Sequence, residues 1–222
     1  MAGPTEVPMF NRSVVIVLVV ALAAGLGLLA GRQLFSPGGV AQAPPLATVR
    51  LLPEPRPVPD FALAQADGTA LVPADLRGHW TVVFLGFTHC PDVCPTTLAE
   101  LAIAQRQWTS LPAASRPRVL FVSVDPERDT PEATGTYAHH FHPDTLAATG
   151  DLAALEAFAT SLGMVFMKAP PPEGAPAGQY SVDHSSTLVL LDPQGRMAGL
   201  LRPPLQPDAI AADLLALTGD DA

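Results

Sequence analysis

The sequence predicts an α/β domain with a mixed β-sheet flanked by helices, and three observations carry that expectation. Residues 80–87 and 118–124 are continuous apolar runs of strand length, which suits central strands covered on both faces. Stretches of helical character, residues 96–108, 151–162 and 207–217, alternate with such runs. Asp67-Gly68 and Asp192-Pro193-Gln194-Gly195 each separate two apolar segments and read as hairpin turns. Strands alternating with helices, plus two hairpins, describe a layered α/β domain. No internal repeat is visible.

At the N-terminus, residues 1–13 are a short stub. Residues 14–30 then carry no charge and lie between Arg12 and Arg32. That length is short for a membrane span and slightly long for the apolar core of a signal peptide. Ala41-Gln42-Ala43 has the small-x-small look of a cleavage site, but it stands well past the apolar run. A buried helix of a soluble domain fits less well, because the segment is apolar on every face. Residues 14–31 therefore read as an uncleaved transmembrane anchor. Arg12 and the terminal amine on one side nearly balance Arg32 on the other. A short stub before a single anchor usually stays inside, which places the bulk of the chain outside the cytoplasm. The compartment is then the bacterial periplasm, or, in a eukaryote, the inner mitochondrial membrane facing the intermembrane space.

Residues 32–59 are rich in Pro, Gly and Ala and read as a tether without a core. Proline-rich chain rises about 3.1 Å per residue, so this one spans on the order of 50–90 Å. Residues 60–222 are one domain's worth of chain. The net charge of -9 argues against nucleic acid as a partner.

Within the domain, residues 61–63 and 70–72 flank the Asp67-Gly68 turn, and residues 75–78 read as a second turn. The buried run 80–87 leads into the helix at 96–108, with Pro95 at its start. The second buried run, 118–124, ends in Asp125-Pro126-Glu127-Arg128-Asp129-Thr130-Pro131. There Asp129 or Thr130 can cap a helix that holds Pro131 in its first turn. The helix at 151–162 stops at Gly163. Residues 164–167 read as a short strand, 168–178 as a loop or insertion, and 186–191 with 196–201 as the second hairpin.

Cys90 and Cys94 are the only two cysteines. The loop they close is too short to constrain the unfolded chain much, so a structural staple is a poor explanation. Thiolate chemistry remains: a metal site, a redox pair, or both. A helix starting at Pro95 puts both sulfurs near its N-terminus, where unpaired amides and the macrodipole favour thiolate. A third ligand must come from elsewhere, and His184, in a loop just before an apolar strand, is the best candidate. Two thiolates with one imidazole suit copper, with zinc the main chemical rival. A structural zinc site usually wants a fourth Cys or His, whereas an open three-ligand site suits a carrier that releases its metal.

Bland readings fit the other candidates better. His89 adjoins Cys90 and is expected to point away from it. His139, His140 and His142 read as a solvated helix end, and Met164 and Met167 as core. Capping accounts for at least one of Asp125 and Asp129. There is no Ser/His/Asp arrangement, no phosphate loop and no haem-attachment motif.

Taken together, the run from Gly86 to Cys94 followed by Pro95-Thr96-Thr97-Leu98, the segment from Ser123 to Pro131, and Val182-Asp183-His184-Ser185 with Asp192-Pro193-Gln194-Gly195 resemble the Sco (Sco1/SenC) family. The resemblance covers almost everything from Asp60 onward. It departs at His79 and Trp80 and in the Pro/Gly-rich insert before Tyr180. It implies a thioredoxin-like fold with an added hairpin after an N-terminal transmembrane helix. It also implies copper bound by Cys90, Cys94 and His184, and delivery to the CuA centre during cytochrome c oxidase assembly. The implied partners are the CuA-bearing oxidase subunit, a copper donor protein and the membrane. On this reading the chain is a metallochaperone rather than an enzyme. The alternative is a thiol–disulfide oxidoreductase that uses Cys90 and Cys94 to reduce the CuA-site cysteines; a peroxidase is a third and weaker option.

Overall fold

The computed structural model describes residues 12–35, 46–170 and 180–220. The chain divides into two units, Met1–Ala43 and Pro44–Ala222. The described part of the first is one helix, α1 (Arg12–Phe35), whose side chains from Ser13 to Gly27 are exposed. Among the described residues no helix is long and apolar enough to cross a membrane. A span takes about 20 consecutive apolar residues, and the uncharged run at residues 14–30 is shorter than that. The anchor expected at residues 14–31 is thus helical, but its uncharged run is short for a span.

The second unit begins earlier than its composition suggests. Residues expected to be tether form β1 (Arg50–Arg56), which pairs antiparallel with a strand near the C-terminus. Pro53 and Pro55 hide this strand in the sequence, yet an edge strand tolerates proline because one of its sides needs no donor. Just before it, the Asp213 carboxylate accepts hydrogen bonds from the amides of Ala47, Thr48 and Val49. The tether therefore ends short of residue 59.

β2 (Leu63–Ala64) and β3 (Ala70–Leu71) form the first expected hairpin, and Gly68 supplies the positive φ of its turn. Residues expected as a turn at 75–78 are entered by a short 3₁₀ segment, Pro73–Leu76. β4 (Thr81–Gly86) follows, then α2 (Val93–Gln107), β5 (Arg118–Ser123) and α3 (Pro131–Phe141). β6 (Leu146–Ala148), α4 (Leu152–Ser161) and β7 (Phe166–Lys168) come next. The chain ends with β8 (Val182–His184), β9 (Leu188–Leu191), β10 (Met197–Leu201) and α5 (Pro207–Asp220). The insertion expected at 168–178 lies largely outside the described residues.

One six-stranded sheet, ordered β1-β10-β9-β4-β5-β6, carries the core. β4, β5 and β6 run parallel, while β9, β10 and β1 are antiparallel, so the sheet is mixed as expected. Every residue of β4 is buried. That explains its unbroken apolar run, since each fully buried side chain contributes roughly 1.5–3 kcal/mol. α2 packs on α5, and α3 on β5 and β6. The parallel strands end on one side of the sheet, where ligand sites form in such folds.

α2 starts two residues earlier than Pro95. Proline fits inside the first turn because its missing amide hydrogen has no partner to lose there. Thr130 and Asp151 cap α3 and α4, each accepting from an amide three residues on.

Candidate metal centre

β4 brings the chain to the site, and its last residue must be glycine. A Cβ on Gly86 would stand 2.8 Å from Phe121 Cε2 and 3.0 Å from Cys94 Sγ. The chain then turns through Phe87 to Cys90, whose amide donates to Phe87 O at 3.3 Å. Cys94 is the second residue of α2, and its amide donates to Cys90 Sγ at 3.3 Å. Cys94 is fully buried, Cys90 half-buried, and both are free thiols.

His184 comes from the end of β8, not from a loop as expected. Its backbone stands opposite Phe166 in the small β7–β8 ladder, and the next amide, that of Ser185, donates to Val165 O at 2.9 Å. Its Nδ1 lies 3.2 Å from Ser185 O, so that nitrogen carries the proton and Nε2 keeps its lone pair. Nε2 lies 3.4 Å from Cys94 Sγ. The rings of Phe84 and Phe87 meet the imidazole edge-on, with centroids at 5.9 and 6.1 Å. The two sulfurs and the imidazole nitrogen all lie within 4.8 Å of one another, and among the described residues no other group of this kind is found.

Burial sets the charge state. It pushes the Cys94 thiol well above its ordinary range, with the hydrogen bond to Cys90 adding to the effect. It also pulls His184 below the usual imidazole value, against the opposing bond to Ser185 O. This corrects the expectation of two thiolates at a helix N-terminus. Full burial moves a pKa by as much as about 3–5, whereas a helix terminus is worth about 0.3–1 kcal/mol, less than one pH unit. For Cys94, desolvation wins, and the metal-free pair is a neutral thiol beside a neutral imidazole.

The remaining candidates sort themselves by contacts. His89 bonds to Thr88 Oγ1 at 3.0 Å and faces Asp129 at 3.3 Å, away from the ligand group. His142 is buried rather than solvated as expected, and its Nδ1 accepts from the Asp144 amide. His139 and His140 are exposed in the last turn of α3, as expected. Met164 is in the core, but Met167 is 65% exposed, because β7 is an outlying strand that the main sheet does not cover.

Asp125 and Asp129 do something the capping expectation missed, since Thr130 does the capping. Asp129 is buried and accepts from the Thr88 amide at 2.7 Å, the Thr88 hydroxyl at 2.6 Å and the Ser123 hydroxyl. Asp125 accepts from Arg128 and from the Tyr180 hydroxyl, the latter at 2.6 Å. Tyr180, Thr88 and Ser123 had no signal of their own in the sequence. Two acids at a strand exit were the one available hint.

Residues 51–219 match the SCO1/SenC family model. A protein of Stutzerimonas stutzeri named for copper binding is 36% identical over 166 residues, which make up 74% of this chain and 78% of that one. The mitochondrial SCO2 homologue of Bos taurus is 38% identical over 136 residues, 61% of this chain but only 50% of its own length. The structure of Bradyrhizobium japonicum ScoI with copper bound is 35% identical and covers 71% of this chain and 96% of that one, with a TM-score of 0.63. The mixed sheet flanked by helices is common to both.

Proposed function

The chain belongs to the SCO1/SenC family, and on that premise we propose a membrane-anchored copper chaperone of cytochrome c oxidase assembly. It takes one copper through Cys90, Cys94 and His184, receives it from a donor protein, and delivers it to the CuA-bearing subunit. The observation that carries this reading is the convergence of two sulfurs and one imidazole nitrogen within 4.8 Å of one another. Such a soft donor set suits copper. Structural zinc sites take four protein ligands, and this group holds three.

His184 needs no rearrangement to act as a ligand, because its proton is committed to Ser185 O and Nε2 already faces Cys94. Cys94 gives up its proton as copper arrives. Cys90, the more accessible sulfur, is the one a partner reaches first. Exchange of ligands one at a time then moves copper between proteins without releasing it to water. The uncharged run at residues 14–30, helical within α1, supports an anchor that keeps the domain at the membrane face away from the cytoplasm or matrix, in the periplasm or intermembrane space.

One observation favours a second reading, a thiol–disulfide oxidoreductase. Half-buried Cys90 and buried Cys94 are free thiols four positions apart, one accessible and one sheltered. Cys90, as thiolate, attacks a disulfide of the CuA site and expels one partner thiolate. Cys94, losing its proton, then displaces the second. The partner gains two electrons, and this chain is left with a Cys90–Cys94 disulfide.

Copper analysis and Cu(I) competition titrations on the reduced full chain, wild type beside His184→Ala, test the chaperone reading. The wild type is expected to bind one copper with a thiolate-to-copper absorption band, and the variant to bind far more weakly. Undiminished stoichiometric binding by the variant rejects the three-ligand site.

A further inference from the structure

The two halves of the ligand set are carried by segments that do not share a sheet. Cys90 and Cys94 follow β4 of the six-stranded sheet, whereas His184 belongs to the separate two-stranded β7–β8 pair. Something must fix one against the other. We propose that residues 125–129, the loop from β5 to α3, form a two-ended clamp that holds His184 over the cysteines, with Asp129 and Tyr180 as its positioning residues. The inference rests on the Cys90–Cys94–His184 reading and deepens it.

One end of the loop grips the cysteine segment. Asp129 is buried, and it accepts both the amide and the hydroxyl of Thr88, at 2.7 and 2.6 Å, two residues before Cys90. The Ser123 hydroxyl completes its shell and ties it to the end of β5.

The other end grips the chain that leads into β8. Asp125 accepts the Tyr180 hydroxyl at 2.6 Å. Arg128 donates to Tyr180 O at 3.0 Å, and its guanidinium stands 3.6 Å from the centre of the Tyr180 ring. Lys168, on β7, brings its ammonium 3.9 Å from the same ring and pairs with Glu127 at 2.6 Å. Thus Glu127 reaches β7 through Lys168, and Asp125 and Arg128 hold Tyr180, two residues before β8. Arg128 also stands 5.7 Å from the Phe87 ring, which abuts His184.

The loop supplies no ligand atom, so its effect is preorganisation: without it the Cys–His geometry has to be ordered at the moment of binding. Exposed ion pairs such as Lys168–Glu127 contribute little. The buried carboxylates and the stacked guanidinium carry the clamp.

The test uses the full reduced chain. Tyr180→Leu, which removes hydroxyl and ring together, is expected to weaken Cu(I) binding by about tenfold, the scale of outer-shell losses at metal sites. Tyr180→Phe keeps the stacking and is expected to recover part of that loss. In a His184→Ala background the Tyr180→Leu effect should vanish, because the clamp acts through His184; a general loss of stability would persist there. Wild-type affinity in Tyr180→Leu, or an undiminished loss in the His184→Ala background, overturns the clamp. If Tyr180→Leu does not fold, Tyr180→Phe and Asp125→Asn take its place, and wild-type affinity in both overturns it. A second readout needs no copper: the His184 ring resonances of the metal-free protein should broaden or multiply when Tyr180 is replaced. If the wild type binds no copper, the chaperone reading fails, and unchanged ring resonances in that variant then reject the clamp as well.

Discussion

Cys94 Sγ lies 3.4 Å from His184 Nε2, although 90 residues separate the two in sequence. Burial raises the thiol and lowers the imidazole, so the contact is a neutral S–H facing a neutral nitrogen. Nucleophilic cysteine–histidine pairs do the opposite and favour thiolate beside imidazolium. This arrangement keeps the proton on the buried sulfur, and it leaves the Cys94–His184 contact without a charge to solvate.

Copper affinity should therefore rise with pH. Cys94 is protonated at neutral pH and must release that proton on binding, while His184, with its lowered pKa, has none to release. Each proton released makes binding about tenfold tighter per pH unit. Competition titrations between pH 6.5 and 8.5 are expected to show a slope of at least one. A flat profile would mean that Cys94 is not a ligand.

Copper and the disulfide should exclude one another. A Cys90–Cys94 bond removes both sulfur ligands, so oxidised protein has no site to load. Ligand present at about 100 times its dissociation constant stabilises a fold by about 2.7 kcal/mol. Thermal unfolding of the reduced form should shift upward with Cu(I), and that of the oxidised form should not. Equal shifts in both forms would place the metal elsewhere, with His139, His140 and His142 the first residues to replace.

Gly86→Ala should damage fold and site together. The new methyl group would press on Phe121 and on the Cys94 sulfur, at 2.8 and 3.0 Å. Overpacking of a dense core costs about 1–3 kcal/mol. Urea unfolding of the metal-free protein is expected to show that loss, together with weaker Cu(I) binding. An unchanged midpoint would show that the strand end yields freely.

Asp213 should matter to acid stability. Burial pushes its carboxyl up, but the amides of Val49, Ala47 and Thr48 and the Thr48 hydroxyl outweigh burial and hold it below the ordinary value. A lowered folded pKa gives stability that is complete above the unfolded value, near about 4, and that drains away as pH falls through the folded pKa. Asp213→Ala strands three amides and is expected to cost about 2–4 kcal/mol at pH 7. The gap to wild type should narrow below pH 4, measured by denaturant midpoints. A constant gap from pH 7 to pH 3 would contradict the charge-based account.

Local chemistry was legible wherever the cause is local. The apolar runs of β4 and β5 announce strands covered on both faces, and Thr130 announces a helix start through its own side chain. The spacing of Cys90 and Cys94 announces paired thiol chemistry, and a segment motif around His184 supplies the third ligand candidate. β1 was illegible, because its strand character comes from β10, nearly the whole domain away in sequence, and its prolines argue against it locally. Met167 was misread because a lone apolar residue says nothing about whether a neighbouring layer covers it.

By itself, then, the sequence determined the central strands, most of the helices, the mixed sheet and the identity of three ligand candidates, since periodicity, caps and turn residues act over a few positions. Only the tertiary structure decided their chemistry. The protonation of Cys94 depends on how completely the site excludes water, a property of packing between segments. The same holds for the end of the tether, which Asp213 sets from the last helix, and for the grip of Asp125 and Asp129 on Tyr180 and Thr88. Hydrogen bonds and desolvation act over a few ångströms in space, whatever the distance along the chain.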